Sequence, residues 1–408
     1  MSSPESSVKN SPWLLFIILL LTPISGIGVD ISVPSLPFIT QLFGSTNVLV
    51  GMSVSVYILG NGLSQVFYGM LSDVVGRRPV ILWATAAFIL VTLAIPLSQS
   101  IEMMLALRFI QGLSIGASAA ISRAIVTDSY SFEGRKRVAN YLTITWGIGP
   151  IVAPLIGGYF QEMFNWKYSY YFLALYGLLC VLAVLILLPE TNRHRHSNFS
   201  ISTRSVLHIL KNPEFTTSAL LAGLCISTLY IFNIFSSFII IDDLGYSPIT
   251  YGRILLLVGS AWIIGGLANR LFLHRFDFNP AVNGALIGAL VVSLGTFLLP
   301  AAILNNIYLY CGVSFLVILA SNIIFTRCLG VCLSLFPKMA GTAGALTGTI
   351  FIVFGAFWTF SSGFIDLSSV RHIFETLTGI LICMLLLRLL SYRTTRNAKA
   401  DDVILGSE

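Results

Sequence analysis

Long apolar runs alternate with short polar connections along this chain. Twelve runs stand out, at 13–33, 47–70, 78–98, 102–124, 137–160, 167–188, 215–241, 249–271, 280–303, 307–333, 340–363 and 370–391. Each is about 20 residues or more, enough to cross the hydrocarbon core of a bilayer as a helix. Strands of a membrane barrel would be about ten residues long and would alternate apolar and polar positions. These runs are longer and uniformly apolar. The pattern predicts an all-α membrane protein with twelve transmembrane helices in two pseudo-symmetric six-helix bundles, embedded in the lipid bilayer. The first run does not fit a cleaved signal peptide, because it is too long, carries Asp30 and is followed by no A-x-A site.

The longest polar connection follows the sixth run and is basic. It predicts an N-terminal six-helix bundle over 1–190, a cytoplasmic linker over 191–214, and a C-terminal six-helix bundle with a short cytoplasmic tail over 215–408. The halves echo one another. Gly69-x-x-x-Asp73 closes the second run and Gly265-x-x-x-Asn269 the eighth, each displaced by 196 residues. Duplicated halves with binding near the membrane midplane describe a secondary transporter.

Composition sharpens this picture. Only 10% of residues are charged against 56% hydrophobic, and the formal charge is +6. The basic excess reads as topology and not as a nucleic-acid surface. Seventeen of the 23 Lys and Arg fall in the tails and loops of one side. The positive-inside rule places that side, and both termini, in the cytoplasm. All six cysteines lie in predicted helices, so no disulfide is expected. Cys328 and Cys332 are one turn apart but lack the further His or carboxylate ligands a metal needs, so no metal and no cofactor is expected. The five histidines, His194 and His196 among them, fall in loops or at helix ends, which argues against a histidine relay in mid-membrane.

The stretch GMLSDVVGRRP, 69–79, puts concentrated charge between two apolar runs. Gly69 would allow close backbone approach near a helix end. Asp73 and Arg77 could pair across a turn that Gly76 permits, and Pro79 suits the first turn of the next helix. A positive-inside loop with a turn glycine explains the same residues. The stretch also resembles the loop motif G-x-L-x-D-R-x-G-R-R of the major facilitator superfamily, with Val74 where a basic residue usually stands. RFIQGLSIGASAA, 108–120, is similar to the helix-four motif of that family. WGIGPIVAPLIGGYF, 146–160, with Pro150, Pro154, Gly157 and Gly158, resembles the helix-five motif of its exporters. LPET, 188–191, resembles the usual end of helix six. DISVPSLP (30–37), GLSQVFYGMLSDVVGRRPVIL (62–82), RAIVTDSY (123–130) and FPKMAGTAGALTG (336–348) look like the Bcr/CflA group of twelve-helix drug:proton antiporters.

The resemblance implies roles for these residues. Gly69, Asp73, Gly76, Arg77 and Asp128 would form a cytoplasmic latch, an ion-pair cluster holding the bundles together in the outward-open state. Asp30, placed near the outer end of the first run, would load and release a proton; ending that helix among the headgroups is the plain alternative. Arg108, sharing a helical face with Gly112, Ile115 and Ala119, would tune a carboxylate such as Asp30 or hold substrate, where the plain alternative is snorkelling to the outer interface. Gly112, Gly116 and Ala120 form a small-residue stripe suited to tight helix contact. Pro150, Pro154 and Gly158 would permit bending at the bundle interface, and Arg327 would snorkel at the cytoplasmic end.

The second half has no acidic residue at mid-helix. Asp242, Asp243 and Asp366 mark outer helix ends, so proton handling would rest on the first half. Tyr230, Asn233, Phe235, Phe238 and Asn322 offer an aromatic and polar lining for a bulky amphipathic substrate, with core packing as an equal explanation. The expected function is proton-coupled efflux of a small amphipathic molecule, a drug or an endogenous product, across the cytoplasmic (inner) membrane by a monomer. The alternatives are an exporter dedicated to a siderophore or metabolite, and an importer of a small metabolite. A membrane enzyme would need clustered ligands or a Ser/His pair at depth, and a channel would need a filter-like loop. Neither pattern occurs in the sequence.

Overall fold

The structure, a computed structural model, describes residues 12–130, 132–192, 203–336, 339–362 and 369–405. Pro337 and Lys338 of the last motif, Asp366, and residues 193–202 of the predicted linker with His194 and His196 lie outside them. The described residues form helices and connecting turns, with no strand among them. This follows from the apolar runs, since a segment in lipid must satisfy its backbone groups within itself.

The helices in chain order are α1 (Pro12–Leu21), α2 (Ile24–Asp30), α3 (Leu36–Phe43), α4 (Asn47–Val75), α5 (Arg77–Ala94), α6 (Ile101–Ser129), α7 (Phe132–Met163) and α8 (Lys167–Leu187). They continue as α9 (Thr203–Leu210), α10 (Pro213–Ser237), α11 (Pro248–Leu271), α12 (Phe278–Gly295), α13 (Ala301–Leu304), α14 (Ile307–Ser334), α15 (Ala340–Ser362) and α16 (Val370–Leu405). Among the described residues, eleven segments are long and apolar enough to cross a membrane. The fifth predicted run, 137–160, falls within α7, an unbroken helix of 32 residues that carries Pro150 and Pro154 inside it. Large apolar side chains stay exposed along these segments, including Trp83 at 78% and Ile186 at 76%. In a bilayer such surfaces meet lipid and not water.

Polar caps start several helices where the sequence turns. The Oγ1 of Thr46 accepts from the Leu49 amide, Ser100 Oγ from Met103, and Asn306 Oδ1 from Tyr308 and Leu309.

One boundary differs from the sequence reading in a way that matters. The first run was expected to end at residue 33, with Asp30 near its outer end. The helical span instead runs from Trp13 to Phe43, which puts Asp30 near its middle. Pro34 and Pro37 do not stop it, because each occupies the first turn of a new helical element, where a missing N–H costs nothing.

The chain divides into two compact units. The first takes in Met1–Ser200, Asn233–Ser260 and Thr359–Phe364; the second takes in Ile201–Phe232, Ala261–Trp358 and Ile365–Glu408. In the first unit, α4 and α6 approach so closely that only glycine fits between them. A Cβ on Gly112 would collide with the carbonyl of Tyr57, and one on Gly116 with Ser64 Oγ and the Asn61 carbonyl. The small-residue stripe is therefore a packing surface. α7 uses its glycines similarly, with Gly157 against the Ile31 carbonyl and Gly158 against the Pro248 carbonyl. In the second unit, Ile209, Phe215, Ala219, Cys332 and Ala343 form a fully buried cluster.

Gly112→Ala should therefore lower stability by about 1–3 kcal/mol through overpacking. Gly284→Ala, where a Cβ meets nothing within 4 Å, should be neutral or slightly stabilising. Thermal unfolding of the two variants in detergent checks the contrast.

Candidate functional site

Two charged clusters lie within the first unit. The deeper one is built on Arg108, whose side chain is fully buried. Its Nη1 donates to the Gly28 carbonyl at 3.0 Å and to Gln111 Oε1 at 2.7 Å, and its Nε to the Ser53 carbonyl at 3.3 Å. The guanidinium carbon lies 4.4 Å from the centre of the Tyr57 ring and 5.8 Å from that of Tyr170, a cation–π arrangement on two sides. Gln111 is held in turn by donating to Thr92 Oγ1 at 2.8 Å. The Tyr57 hydroxyl donates to the Ser25 carbonyl at 2.9 Å. Arg108 thus binds α2 to α4 and α6 and does not snorkel. Its Nη2 has no hydrogen-bond partner.

Asp30 lies two residues beyond Gly28 and is also fully buried. Its Oδ1 accepts from Asn233 Nδ2 at 2.9 Å, while Oδ2 has no partner. The Tyr251 hydroxyl donates to the Asn233 carbonyl at 2.5 Å. Asp30 and Arg108 are not an ion pair at 4 Å, since the described ion pairs are those of Arg77. The two share a neighbourhood through the backbone of α2 instead.

The second cluster is the loop between α4 and α5. Gly76 has φ 117° and ψ 154°, a conformation that other residues reach only with strain. It reverses the chain so that Arg77 opens α5 while its side chain returns to α4. Arg77 Nη1 lies 2.5 Å from Asp73 Oδ1, and Nε lies 3.0 Å from Asp128 Oδ2 on α6. Nη1 also donates to Ser72 Oγ at 2.7 Å and to the Gly69 carbonyl at 3.5 Å.

The sequence reading missed Glu190 as a member of this cluster. Its carboxylate accepts from the first two amides of α5, Arg77 at 2.9 Å and Arg78 at 3.3 Å. Amides at a helix start lack intrahelical partners and favour negative charge. Asn192 then donates to the Ser72 and Asp73 carbonyls. The signal was present in LPET, which was read as a helix end and given no partner. Every described partner of Arg77 belongs to the first unit.

Gly69 also departs from its expectation. It permits no close approach, because a Cβ there would meet nothing within 4 Å. The close approach occurs at its counterpart, Gly265, which lies against the Leu319 carbonyl and Asn322.

In the second unit, Arg327 does not snorkel. It donates to Asn269 Oδ1 at 2.8 Å, to the Phe276 carbonyl at 3.2 Å and to the Leu273 carbonyl. The counterpart of the Asp73–Arg77 pair is thus an arginine held by neutral acceptors, with Asn269 in the place of Asp73.

The other predicted residues separate. Tyr230, Phe235, Phe238 and Asn322 are all buried, with Tyr230 and Asn322 in the second unit and Phe235 and Phe238 in the first. Asn322 accepts from Thr326 Oγ1. Pro150 and Pro154 do not break α7. Their carbonyls lie where α11 comes close at Gly259 and Gly252. Glu162, near the end of α7, accepts from the Ile249 amide at the start of α11 at 3.0 Å.

The family profile of the major facilitator superfamily matches residues 18–359. The chain belongs to that superfamily. A "Bicyclomycin resistance protein homolog" from Haemophilus influenzae is 27% identical over 342 residues, covering 83% of this chain and 85% of the relative. A "Multidrug resistance protein MdtL" from Shewanella oneidensis is 24% identical over 368 residues, covering 88% and 91%. Among solved structures, a bacterial homolog of the human lysosomal transporter Spinster superposes with a TM-score of 0.73 at 14% identity, covering 95% of this chain and 98% of that one. A D-xylose-proton symporter superposes at 0.70 with 15% identity, covering 92% and 96%. At these identities the solved structures establish the fold. Within that fold, Asp30 and Arg108 lie in its first half, as does the Arg77 cluster.

The burial of each partner ranks the ion pairs. The Arg77 side chain is 8% exposed, that of Asp128 22% and that of Asp73 45%. Arg77→Met should cost about 1–3 kcal/mol, because it leaves the largely buried Asp128 carboxylate without its charged partner. Asp73→Asn should cost less than about 1 kcal/mol, as for exposed pairs, with Asp128→Asn between them. Chemical unfolding in detergent gives the order, and a larger loss for Asp73 than for Asp128 would contradict it.

Proposed function

We propose that this member of the major facilitator superfamily exports a small amphipathic molecule across the cytoplasmic membrane in exchange for protons. The observation that carries the reading is Asp30, fully buried near the middle of its span with one carboxylate oxygen bonded and the other unpartnered. An ionisable residue at such depth is costly and marks an ion or substrate path. Arg108 supplies a fixed positive charge beside it, which Asp30 neutralises when ionised and leaves uncompensated when protonated. The names of the bicyclomycin-resistance and multidrug-resistance relatives support efflux and a drug-like substrate.

In this reading, two six-helix bundles joined through 191–214 rock around a central site, with both termini in the cytoplasm and the protein acting as a monomer. The Arg77 cluster and the Arg327–Asn269 contact would each fix the cytoplasmic helix ends of its own unit. Asp30 carries the proton inward and the substrate leaves as the site faces outward. Each charge moved across the membrane is worth about 2.3 kcal/mol per 100 mV, so one or two protons support substantial accumulation. Buried aromatic groups of the first unit, Phe235 and Phe238, would form the apolar part of the substrate path.

The test uses purified protein in liposomes with an internal pH dye, given bicyclomycin or the cationic dye ethidium. The expected result is substrate-triggered proton movement, reduced at least about tenfold in Asp30→Asn, as for loss of the proton-transfer group. Equal proton movement in the variant would refute the assignment of Asp30.

A further inference from the structure

Asn233 was expected to line a substrate path, yet its side chain is spent on Asp30. Its amide donates to Oδ1 at 2.9 Å, and among the described residues no other hydrogen bond holds that carboxylate's side-chain oxygens. Asn233 sits one turn before the end of α10. There the chain passes into a π-helix, Phe238–Asp243, an uncommon geometry that often marks functional positions. The π turn is closed by the Leu244 amide on the Ile239 carbonyl at 2.9 Å, and the Tyr246 amide bonds the Ile240 carbonyl at 3.0 Å. Asn233, the π turn and Tyr251 belong to the same unit as Asp30.

The chemistry of this bond depends on charge. An amide donating to a carboxylate makes a charge-assisted bond, roughly twice as strong as one to a neutral acid. Protonation of Asp30 therefore weakens the one side-chain hydrogen bond that joins α2 to the end of α10 among the described residues. The titratable groups that face Asp30 from neighbouring elements are Arg108 on α6, Tyr57 on α4 and Tyr251 on α11; Tyr170 on α8 faces Arg108. α7 meets α2 through Gly149 and Gly157, which carry no ionisable side chain. Arginines and tyrosine hydroxyls ordinarily keep one charge state between about pH 5 and 9, so the carboxyl is the member that switches.

We propose that Asn233 is a positioning residue that reads the protonation state of Asp30. The bond holds the end of α10 and its π turn while Asp30 is ionised, and releases them when Asp30 takes a proton. This rests on the reading of Asp30 as the proton carrier.

The test is hydrogen–deuterium exchange of the peptide covering 233–246 in the full-length protein, corrected for intrinsic rates between pH 5.5 and 8.5. Infrared spectra over the same range follow the Asp30 carboxylic-acid band, assigned by its loss in Asp30→Asn. Wild-type exchange should speed up about fivefold at low pH, the ratio expected when a charge-assisted bond becomes a neutral one. Asp30→Asn and Asn233→Leu should both exchange fast at every pH, and Asn233→Gln should restore the pH response. A titrating band with exchange that ignores Asn233 would overturn the proposal alone. A band that never changes with pH would overturn the proton reading and the proposal with it. If Asn233→Leu does not fold, Asp30→Asn decides, since a retained pH response there would overturn the proposal.

Discussion

A guanidinium buried in hydrocarbon must find all its partners inside the protein, and the first unit is organised around meeting that demand for Arg108. Removing a charge from water costs several kcal/mol even after relaxation. Carbonyls from Gly28 and Ser53, the amide of Gln111 and the faces of Tyr57 and Tyr170 offset that cost. Those partners come from α2, α4, α6 and α8, so satisfying one side chain fixes four helices. The glycine contact at Gly112 brings two of these helices, α4 and α6, within reach. Asp30 owes its position to this scaffold, because the carbonyl two residues before it is one of Arg108's acceptors.

The cytoplasmic cluster solves a milder version of the same problem. Arg77 is nearly buried but close to the helix ends, and it draws on carboxylates that keep partial contact with solvent. The halves then diverge. The repeated Gly-x-x-x-acid or amide pattern carries an ion-pair cluster in the first half and an arginine held by neutral acceptors, Arg327 with Asn269, in the second. The described Arg327 bonds involve no carboxylate that acid could protonate, whereas the exposed Asp73 pair is open to acid and to salt. Chemical sensitivity is thus concentrated in the half that holds Asp30.

Much of this was legible in the chain. The apolar runs gave the helical architecture because lipid allows a single spanning element few alternatives. Asp73, Gly76, Arg77 and Asp128 were readable because their spacing is local or their motif familiar. Position along the first span differs because the apolar run ends at residue 33 while the helical span continues to Phe43, with Pro34 and Pro37 each in the first turn of a new element. The partners of the charges were not legible. Glu190 lies 113 residues from Arg77, and Asn233 lies 203 residues from Asp30. Neither pairing leaves any trace in spacing. Asn233 in particular looked like lining because an amide on an apolar helix has no periodic signature that distinguishes a ligand contact from a carboxylate contact.

The central claim is that one buried carboxyl in the first half exchanges a proton when substrate binds. The most direct measurement is proton release from the detergent-solubilised protein on addition of bicyclomycin, in weakly buffered solution without a membrane or a gradient. The account predicts release of about one proton per protein, the stoichiometry of a single titrating site, and no release from Asp30→Asn. Binding of bicyclomycin with no proton released, or the same release from the variant, would contradict it.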